Sequence, residues 1–282
     1  MLGRRQLLRA SATLGLASAV PASLGSALTG CGVSASAPVA LGTIVEGGLG
    51  ALAFDARGLS WALDARAGIL EVREVDGALL RTIEELAHPA AIALDASGRA
   101  WVVEAASATL AVIDLDRGVI ARHGAELLRG PRDVAIDADA SVLVADALAH
   151  RVVRLDPSGR VVAMLGEPIV DERDEGVLNG PRGVAIADDG SVLVAEIGGA
   201  RITRLASDGA WLETIASGLT APRALRVGPD GRIAVADAVR GEVTLYDASG
   251  ALLSTHRPTR VPEALAFAPD GALWISGRET GA

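Results

Sequence analysis

The sequence of 282 residues is poor in cysteine, lysine, amide side chains and aromatic rings. It contains one Cys, four Trp, two Phe and one Tyr, and it has no Lys, a single Asn and a single Gln. One Cys excludes an intramolecular disulfide framework and a thiolate-based structural zinc or iron–sulfur site. With so few aromatic rings, the core must be built from Val, Ile, Leu and Ala.

The charge balance is acidic. Acidic residues outnumber basic ones 35 to 26, which gives a net charge of −9. Proteins bind nucleic acid through Lys and Arg side chains that neutralise phosphates, so this balance argues against a nucleic-acid partner. Half of the residues are apolar, far too many for a disordered chain. The composition therefore predicts a globular protein with an aliphatic core.

Residues 1–30 have the pattern of a targeting segment. Arg4 and Arg5 open a basic region, and a weakly apolar run rich in Ala, Gly and Leu follows and ends just before Cys31. The run is too short and too rich in Gly, Ser and Ala for a transmembrane helix. We interpret it as a signal peptide, followed by a small-residue tether over residues 31–38.

Two short motifs in this segment resemble bacterial export signals. The stretch from Gly3 to Arg9 is similar to a twin-arginine signal, with an ordinary basic region as the alternative. Leu28-Thr29-Gly30-Cys31 resembles a lipobox, which implies lipidation of Cys31 as the mature N-terminus. The resemblance implies an exported lipoprotein of the cell envelope on the periplasmic side, and Gly32 in place of Asp favours the outer membrane. Cleavage would remove three arginines and no acid, so the charge of −9 would become −12.

One phrase recurs six times in the rest of the chain. Its best copies read Pro-Arg-Asp-Val-Ala-Ile and Pro-Arg-Gly-Val-Ala-Ile, and the copies start at residues 49, 89, 131, 181, 222 and 262. Each unit holds four short apolar runs separated by Gly-containing turns, which indicates strands and not helices. Repeats of about forty residues with four strands are typical of propeller blades. The sequence therefore predicts an all-β, six-bladed β-propeller of four-stranded antiparallel blades over residues 39–282.

The units resemble NHL repeats. That family's phrase is roughly Pro-x-Gly-Val-Ala-Val-Asp, then a Gly turn, Val-Ala-Asp and Asn-x-Arg-Val. The copy at Pro181, the run Val144-Ala-Asp146 and the run His150-Arg-Val152 reproduce most of it, with Ala149 in place of the family's Asn. The resemblance implies a scaffold that binds a partner, because the repeat carries no chemistry of its own.

A propeller leaves no unpaired sheet edge only if the last blade is completed by the other end of the chain. The run over residues 39–44 resembles the fourth strands of other units, so we expect it to close the last blade. Too few residues follow Ile275 for a full third strand. Three alternatives stay open: a three-stranded blade, the N-terminal strand in the third place, or a truncated gene model.

Two sets of charged residues recur in register. An acid follows the second strand in five units, and Arg151 and Arg201 stand five residues after two of these acids. They predict a structural ion pair in each blade, with a carboxylate ring that coordinates a hard cation as the alternative. Three arginines follow a repeat Pro and must approach the axis, either to pair with these acids or to read an anion. The candidate ligand-binding face contains Arg132, Arg182, Arg223, Asp146, Glu196 and Asp237, and the other two acids of the ring are Asp64 and Glu104.

The remaining polar residues form no recognisable site. The four His residues have no metal-binding spacing, and three Trp residues share one position of the second strand, where they are expected to fill the space between blades. A long acidic insertion at residues 166–179 is predicted to be a solvated loop, with a Ca²⁺ loop as the alternative. The His and Trp residues concerned are His88, His123, His150, His256, Trp61, Trp101 and Trp274.

These observations favour a lipid-anchored scaffold that binds a protein, an envelope glycan or a small ligand. The alternative is a metal-dependent propeller enzyme of the lactonase or lyase type with its site on the central axis. Lactonases resembling this architecture use Asn and carboxylate ligands, and this chain offers only Asn179. We predict no cofactor and no catalytic residue, while a Ca²⁺ or other divalent ion on the axis is compatible with the resemblance.

Overall fold

The computed structural model describes residues 45–46, 49–166 and 177–278, and these form β-strands with one short 3₁₀ helix, Ala147–Ala149. Five of the six sheets each take four consecutive strands of the chain, and the first three of these are called blades 1 to 3. Blade 1 contains β2 (Leu49–Phe54), β3 (Ser60–Asp64), β4 (Ile69–Arg73) and β5 (Leu79–Ile83). Blade 2 contains β6 (Pro89–Leu94), β7 (Ala100–Glu104), β8 (Thr109–Asp114) and β9 (Gly118–His123). Blade 3 contains β10 (Pro131–Ile136), β11 (Val142–Asp146), β12 (Arg151–Leu155) and β13 (Val161–Leu165).

Two further blades follow the same plan, and the last sheet does not. Blade 4 contains β14 (Pro181–Ile186), β15 (Val192–Glu196), β16 (Arg201–Leu205) and β17 (Trp211–Ala216). Blade 5 contains β18 (Pro222–Val227), β19 (Ile233–Asp237), β20 (Glu242–Tyr246) and β21 (Leu252–His256). The last sheet, called sheet 6, contains β22 (Val261–Phe267), β23 (Leu273–Arg278) and the two-residue β1 (Val45–Glu46).

The first strands of the sheets pack around a common axis. β2, β6, β10, β14, β18 and β22 contact one another in that order, and β22 also contacts β2, so the ring is closed. Apolar clusters fill the space between neighbours: Trp61 packs with Ile92 of the next blade, and Trp101 packs with Val134. Every residue of β7, β11, β15 and β19 is buried, because a neighbour covers each face of these strands. The fold is an all-β propeller.

The prediction of six four-stranded blades is correct for five sheets and wrong for sheet 6. Within the described residues sheet 6 has three strands, in the order β1, β23, β22, and β1 pairs with β23 in parallel. In a complete antiparallel blade the fourth strand runs parallel to the second. β1 leads into β2 just as each fourth strand leads into the next blade, so it runs in the direction of a fourth strand. It nevertheless lies directly beside β23, the second strand of sheet 6, where a third strand stands in the other blades.

Several predictions lie outside the described residues. They are the signal peptide and Cys31, the tether, the closing strand at residues 39–44, and most of the acidic insertion, residues 167–176. In the part of the chain that the structure describes, no helix is long and apolar enough to cross a membrane.

Candidate functional site

The first strand of every sheet begins with a β-bulge. In blade 3, Pro131 lies opposite Asp146 and Asp133 lies opposite Ala145, which leaves Arg132 without a partner in the ladder. A bulge bends its strand and re-aims the side chain of the extra residue. The six bulge residues in ring order are Gly50, Ala90, Arg132, Arg182, Arg223 and Glu263.

A buried carboxylate fixes the backbone just before the bulge. Asp146 accepts hydrogen bonds from the N–H groups of Arg129 at 2.9 Å and Gly130 at 2.8 Å, the two residues before Pro131. In blade 5, Asp237 accepts from the two residues before its Pro at 2.7 and 3.1 Å. Glu104 and Glu196 each accept from the residue two places before theirs, at 3.0 and 2.6 Å. We call this contact the carboxylate clamp.

The clamp acids also form the predicted ion pairs. Asp146 lies 3.3 Å from Arg151, and Glu196 lies 2.9 Å from Arg201, as the five-residue spacing predicts. Both carboxylates have 0% side-chain exposure. Two further pairs are Glu104 with Arg122 at 2.8 Å and Asp237 with Arg240 at 3.8 Å, whereas Asp64 accepts from the N–H groups of Arg66 and Ala67. The clamp acids are therefore committed to structural bonds beneath the loops.

The three predicted arginines do not pair with these acids. Arg132, Arg182 and Arg223 instead line a cavity of about 190 Å³ on the propeller axis, which we call the axial pocket. Its lining comes from all six sheets and also includes Glu263 and Arg226. The structure thus brings together three of the six predicted face residues and leaves Asp146, Glu196 and Asp237 outside the pocket lining.

The axial pocket carries an excess of positive charge. Burial and the neighbouring charges of Arg132 and Arg223 lower the pKa of Arg182 to about 10, against an opposing effect of Glu263. Among the described residues, no hydrogen bond or ion pair involves the side chain of Arg132 or Arg182. The buried Nε of Arg223 also has no hydrogen-bond partner there. Converging guanidinium groups with free donors suit recognition of a carboxylate or a phosphate.

Glu263 supplies one acid to the pocket, and repeat alignment alone did not single it out. Its Oε1 lies 3.5 Å from Nη1 of Arg223 and 3.1 Å from Nε of Arg278. It occupies the bulge position of sheet 6, directly after Pro262, where three other sheets have Arg. The alignment of the six phrases therefore contained the signal for this residue.

An ion pair in the lining of the pocket ties three blades together. Asp133 accepts bidentate hydrogen bonds from Arg226, at 2.8 and 3.0 Å, and one from the N–H of Val184 at 3.0 Å. Burial lowers the pKa of Arg226, but the charge of Asp133 more than compensates and raises it. Sequence reasoning missed this pair, although both residues interrupt positions that are Ala or Gly in every other unit. Those small residues are Ala51, Ala91, Gly183, Ala224 and Ala264 at the first position, and Ala53, Ala93, Ala135, Ala185 and Ala266 at the second.

The four histidines do not converge. His88 lines the axial pocket, while His150 accepts a hydrogen bond from the N–H of Gly180 at 3.1 Å. His123 stacks on Trp101 with 5.8 Å between ring centroids, and His256 lies 3.0 Å from the hydroxyl of Ser254. Trp61 and Trp101 are buried between blades, and Trp274 packs on Phe54, so the Trp residues fill space as expected.

A second cavity of about 540 Å³ lies at the opposite ends of blades 1 and 2. It is lined by turn residues that include Asp55, Asp95 and Asp114. Asp55 pairs with Arg57 at 2.7 Å and Asp95 with Arg99 at 2.9 Å, and Asp114 caps its own turn. In residues 45–46, 49–166 and 177–278, no group of three His, Cys, Asp or Glu side chains is arranged to hold a metal ion.

The propeller is shared with solved structures of low sequence identity. A gluconolactonase from Xanthomonas campestris has a TM-score of 0.65 at 22% identity, covering 81% of this chain and 82% of its own. A calcium-binding protein, regucalcin, from Agrobacterium tumefaciens has a TM-score of 0.64 at 16% identity, covering 83% of each chain. Virginiamycin B lyase from Staphylococcus aureus has a TM-score of 0.63 at 16% identity, covering 81% of this chain and 77% of its own. No protein-family model and no curated protein matches the sequence.

The carboxylate clamp makes a prediction about stability and pH. Burial would raise the pKa of Glu104, but hydrogen bonds from Arg122, the Ala87 N–H and Thr109 lower it below its ordinary value. A carboxyl with a lowered folded-state pKa stabilises the protein above its unfolded pKa, about 4.3, and loses this contribution as pH falls through the folded value. We expect Glu104→Gln to have a lower free energy of unfolding than wild type at pH 7. This difference in free energy should narrow as pH falls below about 4.

Urea denaturation at a series of pH values between about 7 and 3 measures this difference in the free energy of unfolding. Glu213→Gln is the matched control, because Glu213 also pairs with an arginine but is 48% exposed. If the difference in free energy between Glu104→Gln and wild type stays constant across this range, the clamp does not act through the charge of the Glu104 carboxylate.

Proposed function

We propose that this protein is an exported, lipid-anchored binding module built on a six-bladed NHL-type propeller. Its axial pocket would hold an anionic ligand, either a small molecule or the acidic group of a protein or envelope glycan. The observation that carries the proposal is the set of arginines at three consecutive bulges, two of which make no hydrogen bond or ion pair with any described residue.

Placing these arginines together has an energetic cost that a bound anion would offset. The charges of Arg132 and Arg223 both disfavour the charged form of Arg182. Nothing in the scaffold requires arginine here, because the same bulge is formed by Gly50 and Ala90 in blades 1 and 2. A locally unfavourable cluster of like charges that the fold does not require is typical of a binding site that trades stability for function.

The proposal of an anionic ligand is tested with inorganic phosphate as the probe. We expect Arg182→Ala to weaken phosphate binding roughly tenfold or more, because a hydrogen bond to a charged group contributes about 1.5–3 kcal/mol. Without ligand, the variant should unfold at the same or a higher temperature than wild type, since it relieves repulsion. Isothermal titration calorimetry and thermal melting measure the two effects.

Arg257→Ala is the charge-matched control, because Arg257 is 78% exposed and pairs with Glu242 away from the pocket. It should leave phosphate binding unchanged. If Arg182→Ala lowers the melting temperature and leaves phosphate binding intact, Arg182 is a structural residue and the proposal fails.

The export proposal rests on Cys31 and the motif before it. A diacylglycerol with an added acyl chain gives stable membrane anchoring where a single chain is marginal. We expect the mature protein to begin at Cys31 and to carry a mass increment for these lipids, and Cys31→Ser to release it from membranes. Mass spectrometry of the mature N-terminus measures this, and an unmodified Cys31 in the membrane-bound protein would refute the anchor.

The second candidate is a metal-dependent propeller enzyme, and the structural similarity to a gluconolactonase and a lyase favours it. The axial donor set does not fit a divalent cation, which prefers carboxylate and carbonyl oxygens. The two pocket acids, Asp133 and Glu263, are both bound by arginines. Native mass spectrometry with added Ca²⁺ separates the candidates: we expect no ion that depends on Glu263, and one bound ion lost in Glu263→Gln would favour the enzyme.

A further inference from the structure

The axial pocket is divided into a cationic half and an apolar half. Blades 3, 4 and 5 contribute four arginines and one acid, and sheet 6 contributes a second acid: Arg132, Arg182, Arg223, Arg226, Asp133 and Glu263. Blades 1 and 2 contribute no charged side chain to the lining, and their only ionisable residue there is the exposed His88. Their other lining residues, which we call the alanine wall, are Ala51, Ala65, Pro89, Ala90, Ala91 and Ala105.

From this division we infer that the ligand is a small anion with an apolar body, whose acid group binds Arg132 and Arg182 while its body packs on the alanine wall. The inference rests on the proposed function and names the ligand class for the same pocket. A purely inorganic anion would use the cationic half alone and leave the apolar half filled with water.

The acid group is assigned to Arg132 and Arg182 because the other two arginines are already engaged. Arg223 lies 3.5 Å from Glu263, and both Nη atoms of Arg226 donate to Asp133. No described residue accepts a hydrogen bond from the side chain of Arg132 or Arg182, so the N–H donors of both guanidinium groups are available to a ligand. Two guanidinium groups from adjacent blades match the two oxygens of a carboxylate or two oxygens of a phosphate ester.

Size limits the body to a few carbon atoms. The cavity of about 190 Å³ is smaller than the pockets of about 300–1,000 Å³ that hold drug-sized ligands. A short-chain acid fits within this volume, whereas a polymer could place only a small part of its chain there.

The wall consists of methyl groups close to the backbone, so contact with it is apolar and non-directional. Each methylene that leaves water for such a surface is expected to strengthen binding about fourfold. Ala90 is the position to change, because it is the bulge residue of blade 2 and only half-buried. A larger side chain there would occupy the pocket and leave the arginines in place.

The test compares acetate, butyrate, butyramide and inorganic phosphate by calorimetry on the whole mature domain. We expect butyrate to bind about tenfold or more tightly than acetate, from two added methylenes at about fourfold each. Butyramide should not bind measurably, because it has the body without the charge. Ala90→Leu should abolish the advantage of butyrate over acetate, because it fills the space that the two added methylenes would occupy.

Ala65→Leu fills the wall from blade 1 and serves as an independent variant if Ala90→Leu does not fold. Equal affinities for acetate and butyrate, with phosphate binding that still depends on Arg182, would overturn this inference and leave the proposed function standing. Loss of Arg182 dependence for every anion would overturn the proposed function itself. The two failures are therefore distinguishable.

Discussion

The buried carboxylate at the end of the second strand in blades 2 to 5 is the contact that fixes the start of their innermost strands. It lies opposite the first residue of the innermost strand and binds the N–H groups that precede it in blades 2 to 5. In these four blades the first residue of the innermost strand is Pro, which has no N–H group. The clamp therefore binds N–H groups of the one or two loop residues that come just before this Pro. The innermost strands of these four blades therefore begin in the same way, with a bulge residue that lines the axial pocket.

A scaffold that repeats this geometry can change its pocket by substitution at one position per blade. The three Arg, one Glu, one Ala and one Gly at the bulges place four kinds of residue at one backbone position. The ion pair of Asp133 and Arg226 is a second case of substitution on an unchanged backbone, because these residues replace two small side chains without altering the strand pairing. Breaking such a buried pair would leave an uncompensated charge, so this contact also restrains the three blades that it joins.

The sequence was informative wherever a feature repeats, and less so where it occurs once. Six copies of one phrase predicted the strands, the turns, and the ion pairs of Asp146 with Arg151 and Glu196 with Arg201. They did not predict the parallel pairing of β1, because it depends on which neighbour a single short strand meets. Asp133, Arg226 and Glu263 were missed for a related reason: their partners are 15 to 93 residues away in other sheets or strands, and no spacing rule connects them.

The acidic composition and the cationic pocket are compatible because they act over different distances. Charges on the solvated surface are screened within about 8–10 Å at physiological salt, so the net charge of −9 is felt mainly by large ligands. A polyanion would meet many surface acids at once, whereas a small anion inside the pocket meets chiefly guanidinium groups in a less polar environment, where attraction is stronger. Composition argued against nucleic acid from the shortage of basic residues, and the pocket leads to the same exclusion through its size. Together they favour a small anionic ligand over a polyanion.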